Sequence, residues 1–533
     1  MGTAESAQPF CVPALSGPEE QGILSRITEN PPHFVLVASD FHIGEGRNPL
    51  TGRIEPRENF LADEVFADWL GHYRQEAAKG ALLLLNGDTF DFIRITRIPK
   101  SRKDFEEWAL RLERIGEGER AKRLRQVTEV DERQWGQARR SVVSKREEWF
   151  GLRADDYKTV WKLHVIIRGH EAFFQALADW VGWGGRLLFV KGNHDVELFW
   201  PLVHRTIRGE VVTRIIEKRS EDPGEEICFR IAFANKGFTM ANLYVEHGHR
   251  HESMTSVFGG EVLEESPWEL NLPLGSFLNR YFLNQIERLD PYIDNVVPTH
   301  QALLRLLRER PYLMVMAYLG AWRFALRALR VPKGRSEKRA VRRVWAVLLL
   351  PPASMAVYAA HWIWPASFMP YPWWFVTLGF LATFFSPAAL PYLVGFLEGL
   401  LSRRSDREVR DPLVEGARKV LRRVFPWLQP GAESHDGVPP VSRVYAVFGH
   451  RHTLEVIDLG GITDDGTETF YANSGTWIPL WPINRPDLRG NVIYSYLEYR
   501  LGTDGEYGHR SLVWDDEART PETATESQPS PIG

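Results

Sequence analysis

Five short blocks of polar residues stand out in this sequence for what they could bind. They are Asp40-x-His42, Gly87-Asp88-x-x-Asp91, Gly192-Asn193-His194-Asp195, His247-Gly248-His249 and Gly449-His450-x-His452. Carboxylates and imidazoles bind divalent cations such as Mn²⁺, and two such ions side by side can clamp an in-line displacement. Each block alone is weak: a lone D-x-H or G-D pair is common, and a single histidine near a strand end is usually a hydrogen-bonded structural residue. The weight lies in all five occurring at the same point of a local pattern.

That point is the end of a short apolar run. FVLVAS leads into Asp40, ALLLLNG into Asp88, RLLFVKGN into His194, LYVE into His247 and YAVFG into His450. Runs of this length, rich in Val, Leu and Phe, are too short for helices and read as buried strands. Their C-terminal ends then deliver the polar side chains to one edge of a sheet, where open α/β sheets carry their sites. Between the first two runs, NFLADEVFADWLGHYRQEAAKG reads as an amphipathic helix with Gly80 as its stop. The fold expected is α/β.

In order, the blocks resemble the motifs of the calcineurin-like metallophosphoesterase superfamily, over roughly residues 34–250 and 440–500. YANSGTW, Tyr471 to Trp477, looks like that family's strand after G-H-x-H, where an Asn-x-Gly turn closes the site. The resemblance implies a β-sandwich flanked by helices and hydrolysis of a phosphate ester or phosphoanhydride. It implies two divalent metal ions, Mn²⁺ foremost, with Fe, Zn or Mg as alternatives. By the same resemblance Asp40, His42 and His452 would hold one metal, Asn193, His247 and His450 the other, and Asp88 would bridge them. His194, which has no ligand role in the pattern, would donate a proton to the leaving-group oxygen or stabilise charge there. Asp91 and Asp195 are either carboxylates that orient histidines or ordinary turn and cap residues. His249 sits beside a ligand, and Arg250 is a candidate phosphate contact. His170 and His204 read as structural. The segment SDFHIG also looks like the SDLHLG of UDP-2,3-diacylglucosamine hydrolases, pyrophosphate-cleaving enzymes of lipid A synthesis. Those chains are much shorter and have Arg where this one has His194.

The rest of the chain bounds the reading. At 533 residues it has room for two or three domains, or for one domain with insertions. A net charge of −4 gives no argument for a nucleic-acid partner. Cys11 and Cys228, far apart, speak against a disulfide framework or a structural zinc site and for a reducing compartment. Residues 1–30 read as an extension without a secretory signal, and 515–533 as a disordered tail. Residues 99–160, dominated by Lys, Arg and Glu, read as one or two exposed helices broken near Gly116 to Gly118. They form either a solvated excursion or a cap over the substrate.

Residues 311–434 read as a helical insertion in a catalytic domain formed by 31–310 and 435–514. Within it, Val344–Trp364 and Trp373–Leu397 contain no Asp, Glu, Lys or Arg. Each has the length of a membrane span, Trp362, Trp364, Trp373 and Trp374 cluster between them, and basic residues flank both outer ends. The hairpin, 344–400, is expected to associate with a membrane, with both ends cytoplasmic; a buried or interfacial hairpin is the alternative. His247 precedes it and His450 follows it. If both reach one metal, the chain between them crosses a membrane an even number of times or not at all. Residues 252–310 are either core packing or a bridge from the site to the bilayer. The leading expectation is therefore a phosphoesterase or pyrophosphatase acting on a membrane-proximal or lipid-linked phosphate. The alternatives are a soluble substrate, as for a cyclic-nucleotide phosphodiesterase or phosphoprotein phosphatase, and a non-catalytic scaffold.

Overall fold

The structure, a computed structural model, describes residues 17–49, 51–219, 224–257, 259–284, 411–428, 441–460, 467–480 and 490–524, with a few isolated positions besides. All five apolar runs form strands. β1 (Phe34–Ala38), β2 (Leu82–Asn86), β3 (Arg186–Val190) and β4 (Ile231–Ala234) lie parallel in that order. On its other side β1 pairs antiparallel with β12 (Ser495–Leu501), followed by β13 (Tyr507–Asp515) and β14 (Thr520–Thr523), which completes a seven-stranded sheet. The histidine-bearing runs are not in that sheet. They form β6 (Leu243–Val245) and β9 (Arg443–Phe448), parallel neighbours in a five-stranded sheet with β5 (Phe238–Met240), β10 (Leu454–Asp458) and β11 (Glu468–Ser474). The polar blocks therefore line the edges of two sheets rather than of one. A short hairpin, β7 (Val262–Leu263) and β8 (Ser266–Leu270), stands apart.

The strands of the larger sheet are apolar on both faces because both faces are covered. Val35, Val37, Leu82, Leu84 and Leu188 meet Met240, Leu243, Val245, Tyr445 and Val447 of the smaller sheet. Leu36, Leu83, Leu85, Leu187 and Phe189 face helices instead. Each fully buried side chain of this size contributes roughly 1.5–3 kcal/mol, so residues on both faces of these strands add to the core.

The helices are α1 (Gly17–Glu29), α2 (Asp63–His72), α3 (Arg74–Ala78), α4 (Arg102–Arg114), α5 (Gly118–Thr128), α6 (Glu132–Val142) and α7 (Glu147–Phe150). They continue with α8 (Asp156–Gly169), α9 (Glu171–Trp183), α10 (Pro201–Arg219), α11 (Leu274–Leu278) and α12 (Pro412–Val424). The helix expected between the first two strands is broken at Tyr73 into α2 and α3, and the Tyr73 hydroxyl meets that of Tyr496 at 2.8 Å.

Several boundaries differ from the sequence expectation. Residues 99–160 hold α4 to α7 and the start of α8, and α4 buries Phe105, Trp108, Ala109 and Leu112 in the main core. Its apolar i, i+3, i+4, i+7 stripe lies among Arg and Glu, which masks it in composition. Residues 17–29 are part of the body: α1 buries Ile23 and Ile27 beside the inter-sheet core, and its Glu20 meets Arg208. The expected disordered tail is corrected as far as residue 524, because β14 continues the ladder of β13 there. At the other boundary α12 packs Leu413, Ala417 and Leu421 on Val444, Ala446 and Phe448, the outer face of the smaller sheet. The body therefore resumes by Asp411 rather than at 435. The apolar hairpin at 344–400 lies outside the described residues. Among the described residues no helix is long and apolar enough to cross a membrane.

Candidate metal centre

Parallel pairing gives β1, β2 and β3 a common C-terminal edge, and β6 and β9 another. Asp40, Asp88 and Asn193 follow the first set; His247 and His450 follow the second. The two edges are joined directly. Asn86 Nδ2 donates to the Glu246 carbonyl at 3.1 Å, His247 Nδ1 lies 2.9 Å from the Asn86 carbonyl, and the His450 amide donates to Asp40 Oδ2 at 2.9 Å.

Three clusters result, each with donor atoms within 4.8 Å of one another: Asp40, His42 and His452; Asp88, His247 and His450; and His42, Asp91 and His194. In the first, His452 Nε2 is 3.4 Å from Asp40 Oδ1 and 3.1 Å from His42 Nε2. Two imidazole nitrogens that close must share a proton or a cation. In the second, His247 Nε2 is 3.1 Å from Asp88 Oδ2 without hydrogen-bond alignment. That same oxygen is 3.9 Å from His42 Nε2, so Asp88 stands between the two clusters. Its other oxygen accepts from the His194 amide at 2.8 Å.

The backbone is strained to make this arrangement. Seven non-glycine residues among those described have left-handed backbones, and five are Asp40, His42, Asp88, His450 and His452, with φ between +48° and +75°. Such conformations cost about 1–3 kcal/mol each and persist where the surroundings impose them. Asp40 Oδ1, Asn193 Oδ1 and His247 Nε2 are also buried with no hydrogen-bond partner among the described residues. Each atom left so costs roughly 1–3 kcal/mol. Two oxygens and an imidazole nitrogen are donors suited to a divalent cation, so these residues fit the expected metals.

The charges agree. Burial opposes ionisation of Asp88, but His247, His194 and His42 outweigh it and hold the carboxyl well below its usual range. Burial likewise opposes ionisation of Asp40, and His247 and His452 bring it down. Burial alone would depress His247, yet Asp88 and Asp40 push it up to about 10. Histidine protons here supply the positive charge that a metal would supply.

Asp91 lies 3.0 Å from His194 Nδ1, 3.7 Å from His42 Nδ1 and 3.1 Å from Arg94 Nε. It is in reach of both rings. Asp195, also a candidate for orienting a histidine, instead accepts from the Gly192 amide at 2.6 Å and the Thr89 amide at 2.9 Å. It braces two loops. His249 is buried with its ring 5.5 Å from that of His247, and burial, then His247 and His450, keep its pKa far below the usual value. Arg250 makes no hydrogen bond to the clusters among the described residues; its guanidinium lies 3.9 Å from Glu261. His170 and His204 stand elsewhere, the first between Glu58 and Asp63, the second stacked on Phe233.

Sequence reasoning missed Glu252 and Thr255, which approach His450 Nε2 at 3.2 and 3.3 Å. It also missed Glu58, which accepts from the amides of Gly46, Asn59 and Phe60 and so supports the loop after His42. Neither set carries a motif; only proximity to H-G-H and D-x-H could have suggested them. On the smaller sheet, Asn473 Nδ2 donates to the Gly449 carbonyl at 2.6 Å, and the Gly475 amide donates to Asn473 Oδ1 at 3.1 Å, closing the turn beneath His450.

Exposure is uneven across the clusters. Asp40, Asp88 and His247 side chains are 0–2% exposed, whereas His194 is 16% and His452 26% exposed. No family model, curated protein or solved structure matches this chain.

Proposed function

We propose that this protein is a dinuclear metal-dependent hydrolase of phosphate esters or phosphoanhydrides, of the calcineurin-like metallophosphoesterase type. The observation that carries the reading is the convergence of Asp40, His42, Asp88, His247, His450 and His452 from the edges of two sheets, with strained backbones and unpaired donor atoms. Asp40, His42 and His452 would hold one ion, Asn193, His247 and His450 the other, and Asp88 would serve both. When bound, two such ions acidify a water and neutralise phosphate oxygens. The chain supplies the remainder. His194, fixed through Nδ1 by Asp91, has no hydrogen bond at Nε2 among the described residues, so that nitrogen could give a proton to the leaving oxygen. Burial alone would depress its pKa, but Asp91 and Asp88 raise it to about 9 in the absence of metal. The exposed His194 and His452 side is where substrate would enter.

The uncharged segments within 344–400 support a membrane-associated chain with its catalytic body on the cytoplasmic face and a membrane-proximal or lipid-linked substrate. The test is turnover by full-length protein with Mn²⁺ against phosphomonoesters, phosphodiesters and nucleotide-diphosphate lipids. Metal-dependent hydrolysis of any class, lost in Asp88→Asn, is expected; preference for a soluble ester would leave the hydrolase and remove the lipid-linked substrate. His194→Ala should lower turnover about 100-fold or more at unchanged metal content. No metal-dependent turnover on any class would overturn the reading.

A further inference from the structure

A cavity of about 400 Å³ lies between the α6–α8 segment and the π-helix after α11, Asn279–Leu283, and shares no residue with the metal clusters. Five cations line it: Lys145, Arg146, Arg153, Lys158 and Arg280, against one lining carboxylate, Glu147. Lys158 and Arg280 are buried on its floor; Lys145 and Arg146 are exposed at its rim.

The floor is partly neutralised. Lys158 Nζ meets Glu147 at 2.6 Å and Asp155 at 3.7 Å, and Arg153 lies 3.3 Å from both Asp155 and Glu269. Arg280 donates to the carbonyls of Gly151 and Leu152. Counting Asp155 and Glu269 with Glu147, three carboxylates face five cations. Lys145 and Arg146 have no carboxylate partner among the described residues, whereas Arg153 Nε, buried without a hydrogen bond among those residues, lies 3.7 Å from Glu147. One wall is aromatic: Phe150 and Tyr281 meet edge-on with centroids 5.0 Å apart.

A structural ion-pair network balances its charges and fills its volume. This one does neither. We propose that the cavity is a binding site for a phosphate monoester group, a compact dianion matching the two unpaired rim charges, carried by a small molecule or by a lipid. Guanidinium and ammonium groups converging on one pocket are the usual partners of such a group, and a volume of about 400 Å³ is in the range of small-ligand sites. Trp149 and Trp268, both well exposed, neighbour Phe150 and Glu269 in sequence, so a lipid carrier belongs in the test. The site is independent of the dinuclear reading, although Ser276 of α11 donates to the Asn193 carbonyl at 2.8 Å and so ties the two regions together.

The experiment measures binding of inorganic phosphate to full-length protein in chelator, by calorimetry, for wild type, Lys145→Glu/Arg146→Glu and Asp88→Asn. A parallel arm measures cosedimentation with vesicles containing phosphatidic acid against vesicles of phosphatidylcholine alone. Saturable phosphate binding, weakened about tenfold or more by the rim double variant and unchanged by Asp88→Asn, is expected. Vesicle binding that needs both phosphatidic acid and the rim cations assigns the group to a lipid; phosphate binding without it assigns a soluble ligand. The rim residues are exposed, so their variant folds, and unchanged thermal unfolding verifies that. Absence of phosphate binding at millimolar concentration, equal binding by the double variant, or loss of binding in Asp88→Asn would overturn the proposal.

Discussion

Gly87 and Gly80 have nearly the same left-handed backbone, φ +85° and +83°, in opposite surroundings. A Cβ at Gly80 meets nothing within 4 Å, whereas a Cβ at Gly87 would lie 2.4 Å from Cγ and Nδ1 of His247. Gly80→Ala therefore isolates backbone strain, about 1–2 kcal/mol. Gly87→Ala adds a collision: ordinary contact begins near 3.4 Å, so the ring must retreat by about 1 Å. The ring is held by its 2.9 Å contact with the Asn86 carbonyl, which that retreat would break. Overpacking of about 1–3 kcal/mol and a lost hydrogen bond of about 1 kcal/mol bring the expected total to roughly 3–6 kcal/mol. A donor displaced by about 1 Å also costs on the order of 100-fold in rate. Thermal unfolding, metal content per chain and turnover in saturating Mn²⁺ measure these three effects on both variants. Gly80→Ala should keep its metals and its rate; Gly87→Ala should lose one metal and most activity. If Gly87→Ala kept two metals and wild-type turnover, His247 would not be a ligand and the site reading would be refuted.

Mn²⁺ should raise the thermal midpoint of wild type reversibly. At a free concentration 100 times the dissociation constant the gain is about 2.7 kcal/mol, and a scan with and without chelator on wild type and Asp88→Asn measures it. Alkaline pH should weaken the fold through His170. Burial opposes its protonation, but Glu58 and Asp63 raise it to about 9, so its stabilisation is full below its unfolded value and lost as pH rises through 9. The loss, a few kcal/mol at most, should vanish from the difference between pH 7 and pH 10 unfolding in His170→Gln. Replacing residues 344–400 by a short polar linker should move the protein from the membrane to the soluble fraction while metal binding remains; fractionation and metal analysis check this.

Much of the centre was legible because its parts obey local rules. A buried strand announces itself as an apolar run, and the polar residue after it marks the sheet edge, as Asp40, Asp88 and His247 do. The assignment of strands to sheets was not legible: nothing in LYVE or YAVFG says that β6 and β9 leave the sheet of β1, since that choice depends on pairings across about 200 residues. Which of its two readings Asp195 would take was hidden for a related reason. A carboxylate beside a histidine in sequence can turn away from it, and this one meets the Gly192 and Thr89 amides instead. The buried stripe of α4 and the apolar face of α12 were hidden by the Arg and Glu around them, where composition speaks louder than period.

The antiparallel pairing of β1 with β12 also has a consequence during synthesis. The ribosome releases Phe34 some 460 residues before Ser495, which at about 5–20 residues per second leaves that strand flank uncovered for roughly half a minute to a minute and a half. An open flank of Phe, Val and Leu recruits any extended peptide nearby. A chaperone or a temporary strand partner would protect that flank in the nascent chain. Any product terminated before Ser495 would expose a sticky edge, and one terminated before His450 would also lack two of the seven candidate metal ligands, His450 and His452.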